Sequence, residues 1–295
     1  MKEEFIPINI MAAFAHKDDE SGAAGTLSKL AQKGHKVYLV AATLGELGSR
    51  RRSTRKVIAA RQREFEKSAE LLGAYPISLD HLEGDFDIQK VQRDLTGVAR
   101  DINVDVVITH HHDDYHHLHR QVSEAAKVAV FNIPATPYRA RARRLLVSGN
   151  NDEFPAGIRR TRLKRIVPPP LLNDVAFYEM DPQGLKKRDS LDEGYSRDNI
   201  ADVGLIVGLE PDEAKMRTMV YEVYHSQESL RDAWKSPYTE QLARESQIRG
   251  GQAGFDFGEG FTQIAWGGET FSIFNRLQDM LPGEVYDVRS RKILS

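Results

Sequence analysis

The stretches Val37-Tyr-Leu-Val-Ala-Ala42 and Val104-Asp-Val-Val-Ile-Thr109 are short apolar runs of the kind that form buried β-strands. Segments with helical spacing of apolar residues surround them, at 23–32, 57–72, 88–102 and 118–130. Two further strand-like runs complete the alternation, at 8–15 and 77–82. Strands that are joined by helices run parallel and are covered on both faces. The sequence therefore predicts an α/β fold with a mostly parallel sheet between two layers of helices.

The pattern changes after Ile133. An excursion rich in Arg and Pro is predicted at about 134–172, followed by a late strand at 175–180. A C-terminal helical part is predicted from about 211, with helices at 211–224 and 239–249. For a chain of 295 residues we expect one α/β domain over 1–295.

Composition excludes several classes of protein. The 41 Lys and Arg nearly cancel the 43 Asp and Glu, and a net charge of −2 argues against a nucleic-acid binder. No apolar run approaches the roughly 20 residues that span a bilayer, and the N-terminus does not resemble a secretory signal. We therefore expect a cytoplasmic protein without a membrane or nucleic-acid partner. The chain has no cysteine, so any metal must be held by His, Asp or Glu.

Histidine is concentrated in one place. Six of the ten histidines lie between His110 and His119, directly after the strand that ends at Thr109. Imidazole is the commonest metal ligand, and the carboxyl ends of strands are where open α/β sheets bind ligands. His116 and His119 are three residues apart and share a face of a helical turn. The alternative is a His-rich surface loop that binds nothing specific.

A second polar cluster, Ala15-His-Lys-Asp-Asp-Glu20, follows the first strand. His16 and Asp19 have the spacing to reach one ion from a tight turn, which leaves Asp18 free to act on a metal-activated water. The alternative is an acidic helix start. Two His and one Asp suit either a hydrolytic zinc site or a non-haem iron site. The His-x-x-Asp step within an α/β pattern favours hydrolysis.

These clusters resemble motifs of the LmbE-like, or PIG-L-like, zinc deacetylases. Ala15–Glu20 resembles the AHPDDE motif, and His116-His-Leu-His119 resembles the HPDH motif. Weaker matches to the TxGExG, RxxE…LG, HxSQ, RG and YAExF segments lie at 43–48, 61–73, 225–227, 249–250 and 257–261. The resemblance implies a Rossmann-like, LmbE-like deacetylase fold. It also implies an enzyme that hydrolyses a linear amide, as the N-acetylglucosamine deacetylases of mycothiol and bacillithiol synthesis do.

The resemblance further implies roles for individual residues. One zinc ion per chain would be held by His16, Asp19 and His119, with Fe²⁺ as an alternative metal. Asp18 would be the general base, and His116 would stabilise the oxyanion or protonate the leaving amine. The sugar hydroxyls would be held by Arg61 and Asp85. The partner would be a small N-acetylated amino sugar, and a homo-oligomer is left open.

The chain departs from the family motifs at two positions. Lys17 replaces a proline, and Leu118 replaces the aspartate of HPDH. These departures motivate one alternative function, a metal-binding protein with weak or no catalysis. The other alternative is an amidase that acts on a larger thiol-conjugate. The resemblance assigns no role to the remaining clustered histidines, His110, His111, His112 and His117. The runs of arginine at 50–52 and 139–165 are either solvated segments or attractors of an anionic group, and the second run has a subunit contact as a further alternative.

Overall fold

The computed structural model describes residues 5–48, 54–135, 137–138, 140, 175–181, 203–227, 238–264 and 276–294. The strands are β1 (Asn9–Phe14), β2 (Lys36–Thr43), β3 (Tyr75–His81), β4 (Val106–Thr109), β5 (Ala176–Met180), β6 (Leu205–Leu209), β7 (Phe257–Gln263), β8 (Val285–Asp287) and β9 (Lys292–Leu294). The helices are α1 (Ala24–Gln32), α2 (Thr54–Leu72), α3 (Ile88–Asp101), α4 (His117–Asn132), α5 (Pro211–Glu222), α6 (Tyr238–Ala253) and α7 (Arg276–Met280). Short 3-10 turns cover Asp19–Ala23 and His225–Gln227. Among these residues no helix is both long and apolar enough to cross a bilayer.

The nine strands form one sheet in the order β3-β2-β1-β4-β5-β7-β6-β8-β9. The first five of these in the sheet, β3 to β5, pair in parallel. The other four pair antiparallel to their neighbours. Helices cover both faces of the parallel part, so the predicted α/β class with a mostly parallel central sheet is confirmed.

Alternation along β1 divides the core into two layers. Ile10, Ala12 and Phe14 face the layer that also holds buried residues of α1, α2 and α5. Met11 and Ala13 face the layer built from α3 and α4. A central strand that is buried on both faces needs a continuous apolar run, which is what this stretch of sequence supplies.

Local sequence sets several helix boundaries. Gly34 and Gly73 follow α1 and α2 with φ of 91° and 67°, a backbone region that favours glycine at helix ends. Asp87 caps α3 by accepting hydrogen bonds from the backbone N–H groups of Gln89 and Lys90. Helix α5 begins at Pro211, whose missing N–H and fixed φ suit the first turn.

The four antiparallel strands, β6 to β9, were not predicted. The late strand predicted at 175–180 is β5, which lies next to them in the sheet. Strand β6 lies just before the helical part that is predicted from residue 211, and β7 to β9 lie within that part; β8 and β9 have three residues each. The arginine run at 50–52 and most of the predicted excursion at 134–172 lie outside the described residues.

Helix α1 takes its N-terminal cap from the far end of the chain. Ala23, the residue before the helix, offers no side-chain acceptor. The buried carboxylate of Glu259 on β7 instead accepts hydrogen bonds from the backbone N–H groups of Gly25, at 2.9 Å, and Thr26, at 2.8 Å. Since α1 directly follows the turn that carries His16 and Asp19, this cap also anchors that turn.

Replacing Glu259 with Ala should lower the free energy of unfolding by about 2–4 kcal/mol, because two buried N–H groups lose their acceptor. Denaturant unfolding monitored by circular dichroism measures the change. Glu222→Ala, an exposed glutamate on α5, is the control and should stay within about 0.5 kcal/mol of wild type. Equal losses in the two variants would contradict the capping role.

Candidate active site

The site lies where the sheet order reverses. The chain fills β1, β2 and β3 in one direction and then places β4 on the other side of β1, with Ala13 paired beside Thr109. Ligands in open α/β sheets bind outside the carboxyl ends of the strands at such a reversal. The 15–20 segment and the 110–119 segment leave β1 and β4 at this point, so the structure brings the two predicted clusters together.

Three of the predicted residues converge on one point. Nδ1 of His16 lies 3.2 Å from Nε2 of His119 and 3.2 Å from Oδ2 of Asp19. Nε2 of His119 lies 3.3 Å from Oδ1 of Asp19. Ligand atoms about 2.1 Å from a tetrahedral ion are separated by roughly 3.4 Å. The donor set and its spacing therefore fit a zinc-sized cation.

The outer ring nitrogens of the two histidines support the same conclusion. Nδ1 of His119 is 2.9 Å from a carboxylate oxygen of Asp114, and Nε2 of His16 faces Glu83 at 3.9 Å. A metal-ligating histidine usually directs its other nitrogen to a carboxylate, which fixes the tautomer and the ring orientation. Both inner nitrogens are then available as lone-pair donors.

Asp18 has an unusual backbone conformation beside this triangle. Its φ is 133°, a value that an L-residue adopts only at a cost of about 1–3 kcal/mol. Oδ2 of its carboxylate accepts a hydrogen bond of 2.6 Å from Gln227, and Oδ1 lies 3.5 Å from the guanidinium of Arg61. Burial raises the pKa of Asp18, and the charge of Arg61 partly opposes the rise. The strained turn thus holds a carboxylate in place that is a better proton acceptor than an exposed aspartate.

His116 stands at the start of α4, and its ring centroid is 4.8 Å from that of His16 and 4.7 Å from that of His119. Its Nδ1 accepts a hydrogen bond from the backbone N–H of Leu118 at 3.3 Å. Its Nε2 is therefore the nitrogen that carries the proton in the neutral ring. Burial, together with the neighbouring histidines, lowers the pKa of His116 to about 4.

His110 touches the site without offering it a lone pair. It is fully buried, and its ring stacks on His119 with centroids 4.0 Å apart. Its Nε2 lies 3.2 Å from Asp19 but already accepts a hydrogen bond from the backbone N–H of Ala15 at 2.8 Å. His110 thus joins the two loops and is a poor candidate for a metal ligand.

Of the two predicted substrate residues, Arg61 is buried and Asp85 is exposed. Arg61 is 3% exposed, and its Nη1 donates to the backbone carbonyl of Lys17 at 2.5 Å. A Cβ atom on Gly48 would approach this guanidinium to 2.6 Å, which explains the glycine at that position. Asp85 is exposed on the loop after β3. Contact of Arg61 and Asp85 with sugar hydroxyls stays a prediction.

A second group of histidines lies apart from this triangle. Nδ1 of His112 donates a hydrogen bond of 2.6 Å to Oε2 of Glu179 on β5, and His111 stacks on His112. Oε1 of Glu179 is held by Lys127 at 2.7 Å and by Ser123 at 3.1 Å. With both of its oxygens engaged inside the protein, Glu179 joins α4 to β5 as a structural ion pair.

Sequence reasoning assigned no role to several residues that the site uses. Gln227 belongs to the HxSQ-like segment but had no predicted partner, and the sequence offers Asp113 and Asp114 as alternative replacements for the carboxylate missing at position 118 without choosing between them. Glu20 is fully buried and accepts hydrogen bonds from Ser68 and Tyr224, which ties the Asp18 turn to α2 and to the segment that follows α5. The only sequence signal for Gln227 and Glu20 is that they belong to motifs, and a motif does not show which groups a side chain contacts.

Lys17, at the position of the family proline, is fully buried rather than exposed beside the site. Its Nζ lies 3.5 Å from the carbonyl oxygen of Leu44. Burial lowers the pKa of Lys17 to about 7, with a further contribution from the charge of Arg61, against the acidic side chains of Glu66 and Glu46. Folding therefore favours the neutral amine.

The lowered pKa predicts that Lys17 decreases the free energy of unfolding by an amount that depends on pH. Between about 7, its folded pKa, and 10.5, the unfolded value, the unfolded chain binds a proton that the folded chain does not, so stability rises with pH. Lys17→Met should therefore be more stable than wild type near pH 6, by roughly 2–4 kcal/mol. The advantage should shrink as the pH approaches 10. Unfolding curves across this pH range measure the difference, with exposed Lys56→Met as control. A gain that is independent of pH would contradict the buried-amine explanation.

Solved structures of related shape support the fold. An N,N'-diacetylchitobiose deacetylase from Pyrococcus horikoshii aligns with a TM-score of 0.62 at 21% identity, over 87% of this chain and 83% of that chain. GalB, the 4-carboxy-2-hydroxymuconate hydratase from Pseudomonas putida, has a TM-score of 0.62 at 18% identity, over 90% of this chain and all of its own. The zinc inhibited form of teicoplanin deacetylase Orf2 aligns with a TM-score of 0.55 at 13% identity, over 86% and 97%. At these identities the likeness is one of fold.

None of the curated proteins matches the sequence significantly. The profile of the family PIG-L: GlcNAc-PI de-N-acetylase matches residues 11–130, the part that contains β1 to β4 and both polar clusters. The resemblance predicted from the motifs is thereby confirmed. Over these residues the chain is similar to the PIG-L, or LmbE-like, family.

Proposed function

We propose that this chain is a zinc-dependent hydrolase that removes the acetyl group from an N-acetylglucosamine-type amino sugar or its conjugate. The observation that carries the proposal is the triangle formed by His16, Asp19 and His119 with the Asp18 carboxylate held beside it. An amide needs an activated water, stabilisation of the oxyanion and a proton for the leaving amine. The residues around the triangle offer each of these.

A zinc ion held by these three residues would lower the pKa of a water molecule and polarise the amide carbonyl. Asp18 accepts the proton of the attacking water. Two features of the site support this role: the raised pKa of the buried carboxylate, and its fixed position between Gln227 and Arg61. The water oxygen bonds to the carbonyl carbon, and the carbon–nitrogen bond then breaks.

His116 stabilises the oxyanion that forms on the former carbonyl oxygen. Its pKa is lowered and its Nδ1 is occupied by a backbone N–H, so at neutral pH it donates from Nε2 as a neutral imidazole. The proton that Asp18 received goes to the leaving nitrogen. The products are acetic acid and the free amine, and transfer of the acid's proton to the amine gives acetate and an ammonium group, so atoms and charge balance.

Two alternatives remain testable with the same substrates. One is an amidase for a larger thiol-conjugate, and the other is a metal-binding protein with little catalysis, motivated by Leu118 and Lys17. Release of free amine and acetate should be followed across N-acetylglucosamine, its glycosides, its oligomers and thiol-conjugated amides. The hydratase of similar fold makes a water-addition control with an unsaturated tricarboxylate worthwhile. Metal should be titrated from substoichiometric amounts, since one neighbour is a zinc inhibited form. No amine release from any amide in the metal-loaded protein would overturn the proposed function.

Removing any one of the three proposed ligands should abolish tight binding of one divalent ion, because three protein ligands are the minimum for such a site. The variants are His16→Ala, Asp19→Ala and His119→Ala, and elemental analysis after dialysis measures occupancy. His110→Ala removes a buried histidine that also contacts Asp19 but is not a proposed ligand, and it should keep the metal. Full occupancy in His119→Ala, or loss in His110→Ala alone, would reassign the ligand set.

Asp18→Asn should keep the metal and lose turnover, because an amide cannot take a proton from water. General-base assistance is typically worth about 10²–10⁴-fold, so kcat should fall by that factor. The matched control is Asp19→Asn, which should lose the metal itself. The assignment fails if Asp18→Asn retains near-normal kcat with zinc bound. It also fails if the two variants exchange their effects.

A further inference from the structure

We propose that Asp114 is a positioning residue of this site, whose carboxylate fixes both the proposed metal ligand His119 and His116, the hydrogen-bond donor to the oxyanion. The kinetic part of this proposal rests on the proposed function, whereas the metal-binding part does not. Asp114 is 2% exposed and lies behind the histidines, so it acts through them rather than on a substrate.

The first contact sets the tautomer of His119. Oδ1 of Asp114 lies 2.9 Å from Nδ1 of His119, so the ring donates its Nδ1–H to the carboxylate. Nε2 then has a free lone pair. That nitrogen is the atom that lies 3.2 Å from His16 and 3.3 Å from Asp19 in the ligand triangle. Without the carboxylate, the ring could rotate or place its proton on Nε2, and either change removes a ligand.

The second contact fixes the start of α4. The same Oδ1 accepts a hydrogen bond of 3.0 Å from the backbone N–H of His116. His116 in turn caps the helix by accepting from the N–H of Leu118 through its Nδ1. Since one ring nitrogen is held by the helix and the backbone is held by Asp114, the remaining nitrogen Nε2 has one direction available.

The loop around Asp114 is itself firmly held. Its backbone N–H donates to the carbonyl of His111 at 3.3 Å, and its backbone carbonyl accepts from Arg120 at 2.5 Å. Of the two neighbouring carboxylates on this loop, Asp113 is exposed and Asp114 is buried. The two residues therefore form a matched pair in which the same substitution has different expected effects.

The leucine at position 118 increases the importance of the Asp114 carboxylate for the site. At the position where the family motif has aspartate, this chain has a leucine that is 3% exposed and packs in the core layer of α3 and α4. A carboxylate from position 118 is therefore not available to His116. Asp114 supplies a carboxylate to the same turn from the preceding loop, through the backbone of His116 and the ring of His119.

The test compares Asp114→Ala, Asp114→Asn and the control Asp113→Asn. Metal affinity is measured on the metal-free proteins by competition for zinc with a chromophoric chelator. Loss of an outer carboxylate typically costs about 10–100-fold in metal affinity, which is expected for Asp114→Ala. Asp114→Asn should lose less, by roughly 3–10-fold, because its amide oxygen still accepts the two hydrogen bonds. Asp113→Asn should match wild type.

Kinetics at saturating metal separate the two contacts. If Asp114 also positions His116, kcat of Asp114→Ala should stay at least about 10-fold below wild type after the metal is restored, with KM little changed. Complete recovery of kcat would overturn the contact to His116 as a functional one. Unchanged zinc affinity in both Asp114 variants would overturn the whole proposal.

The test stays decisive if one variant fails to fold or if the proposed function is wrong. Asp114→Asn is isosteric, so it decides the metal part if Asp114→Ala fails to fold as judged by circular dichroism. If wild type releases no amine from any substrate, the proposed function fails. The zinc affinities still test the role of Asp114 toward His119, because that role predicts the highest affinity for wild type, a lower one for Asp114→Asn and the lowest for Asp114→Ala.

Discussion

The pairing of β1 with β4 is the constraint on which the site depends. These strands are parallel neighbours that end at the same edge of the sheet, so the segments that follow them lie side by side. Hydrogen bonds reinforce the junction: the hydroxyl of Thr109 donates to the carbonyl of Ala13 at 2.7 Å, and His110 accepts from the N–H of Ala15. Every member of the ligand triangle is therefore one turn or less from a rigid, buried element. A metal site with spacing errors below an ångström requires this kind of support.

Holding so many charged groups together has a structural cost that the rest of the chain offsets. The positive φ of Asp18 and the burial of Glu20 are both unfavourable by themselves. Gln227 from the C-terminal half binds the Asp18 carboxylate, and Tyr224 donates to Glu20. Glu259 caps the helix that follows the same turn. The residues beyond 130 thus complete a site whose proposed metal ligands all come from the first 120.

The parallel half of the fold could be predicted because its signals are local. Continuous apolar runs, helical periodicity and the stops at Gly34 and Gly73 each describe a few neighbouring residues. The antiparallel half has short strands, and β7 reads Phe-Gly-Glu-Gly-Phe in its first five residues, which carries little strand propensity. In the site, the clustering of residue types indicated which groups meet. The contacts of Gln227, Asp114 and Glu83 with the site depend on side-chain direction across separate elements, which spacing along the sequence does not encode.

The two departures from the family motifs act on different parts of the site. Lys17 lies beneath the loop after β2 and Leu118 lies in the core, so neither side chain separates the three proposed ligands. The ligand triangle is therefore insensitive to both. Proton donation is different, because His116 has no carboxylate at position 118 to stabilise its charged form, and its pKa is lowered to about 4. A neutral imidazole can still donate one hydrogen bond to an oxyanion, but it has no second proton to give. Under the proposed reaction the leaving amine must then be protonated by Asp18, and the raised pKa of that buried carboxylate suits a group that first accepts a proton and then returns it.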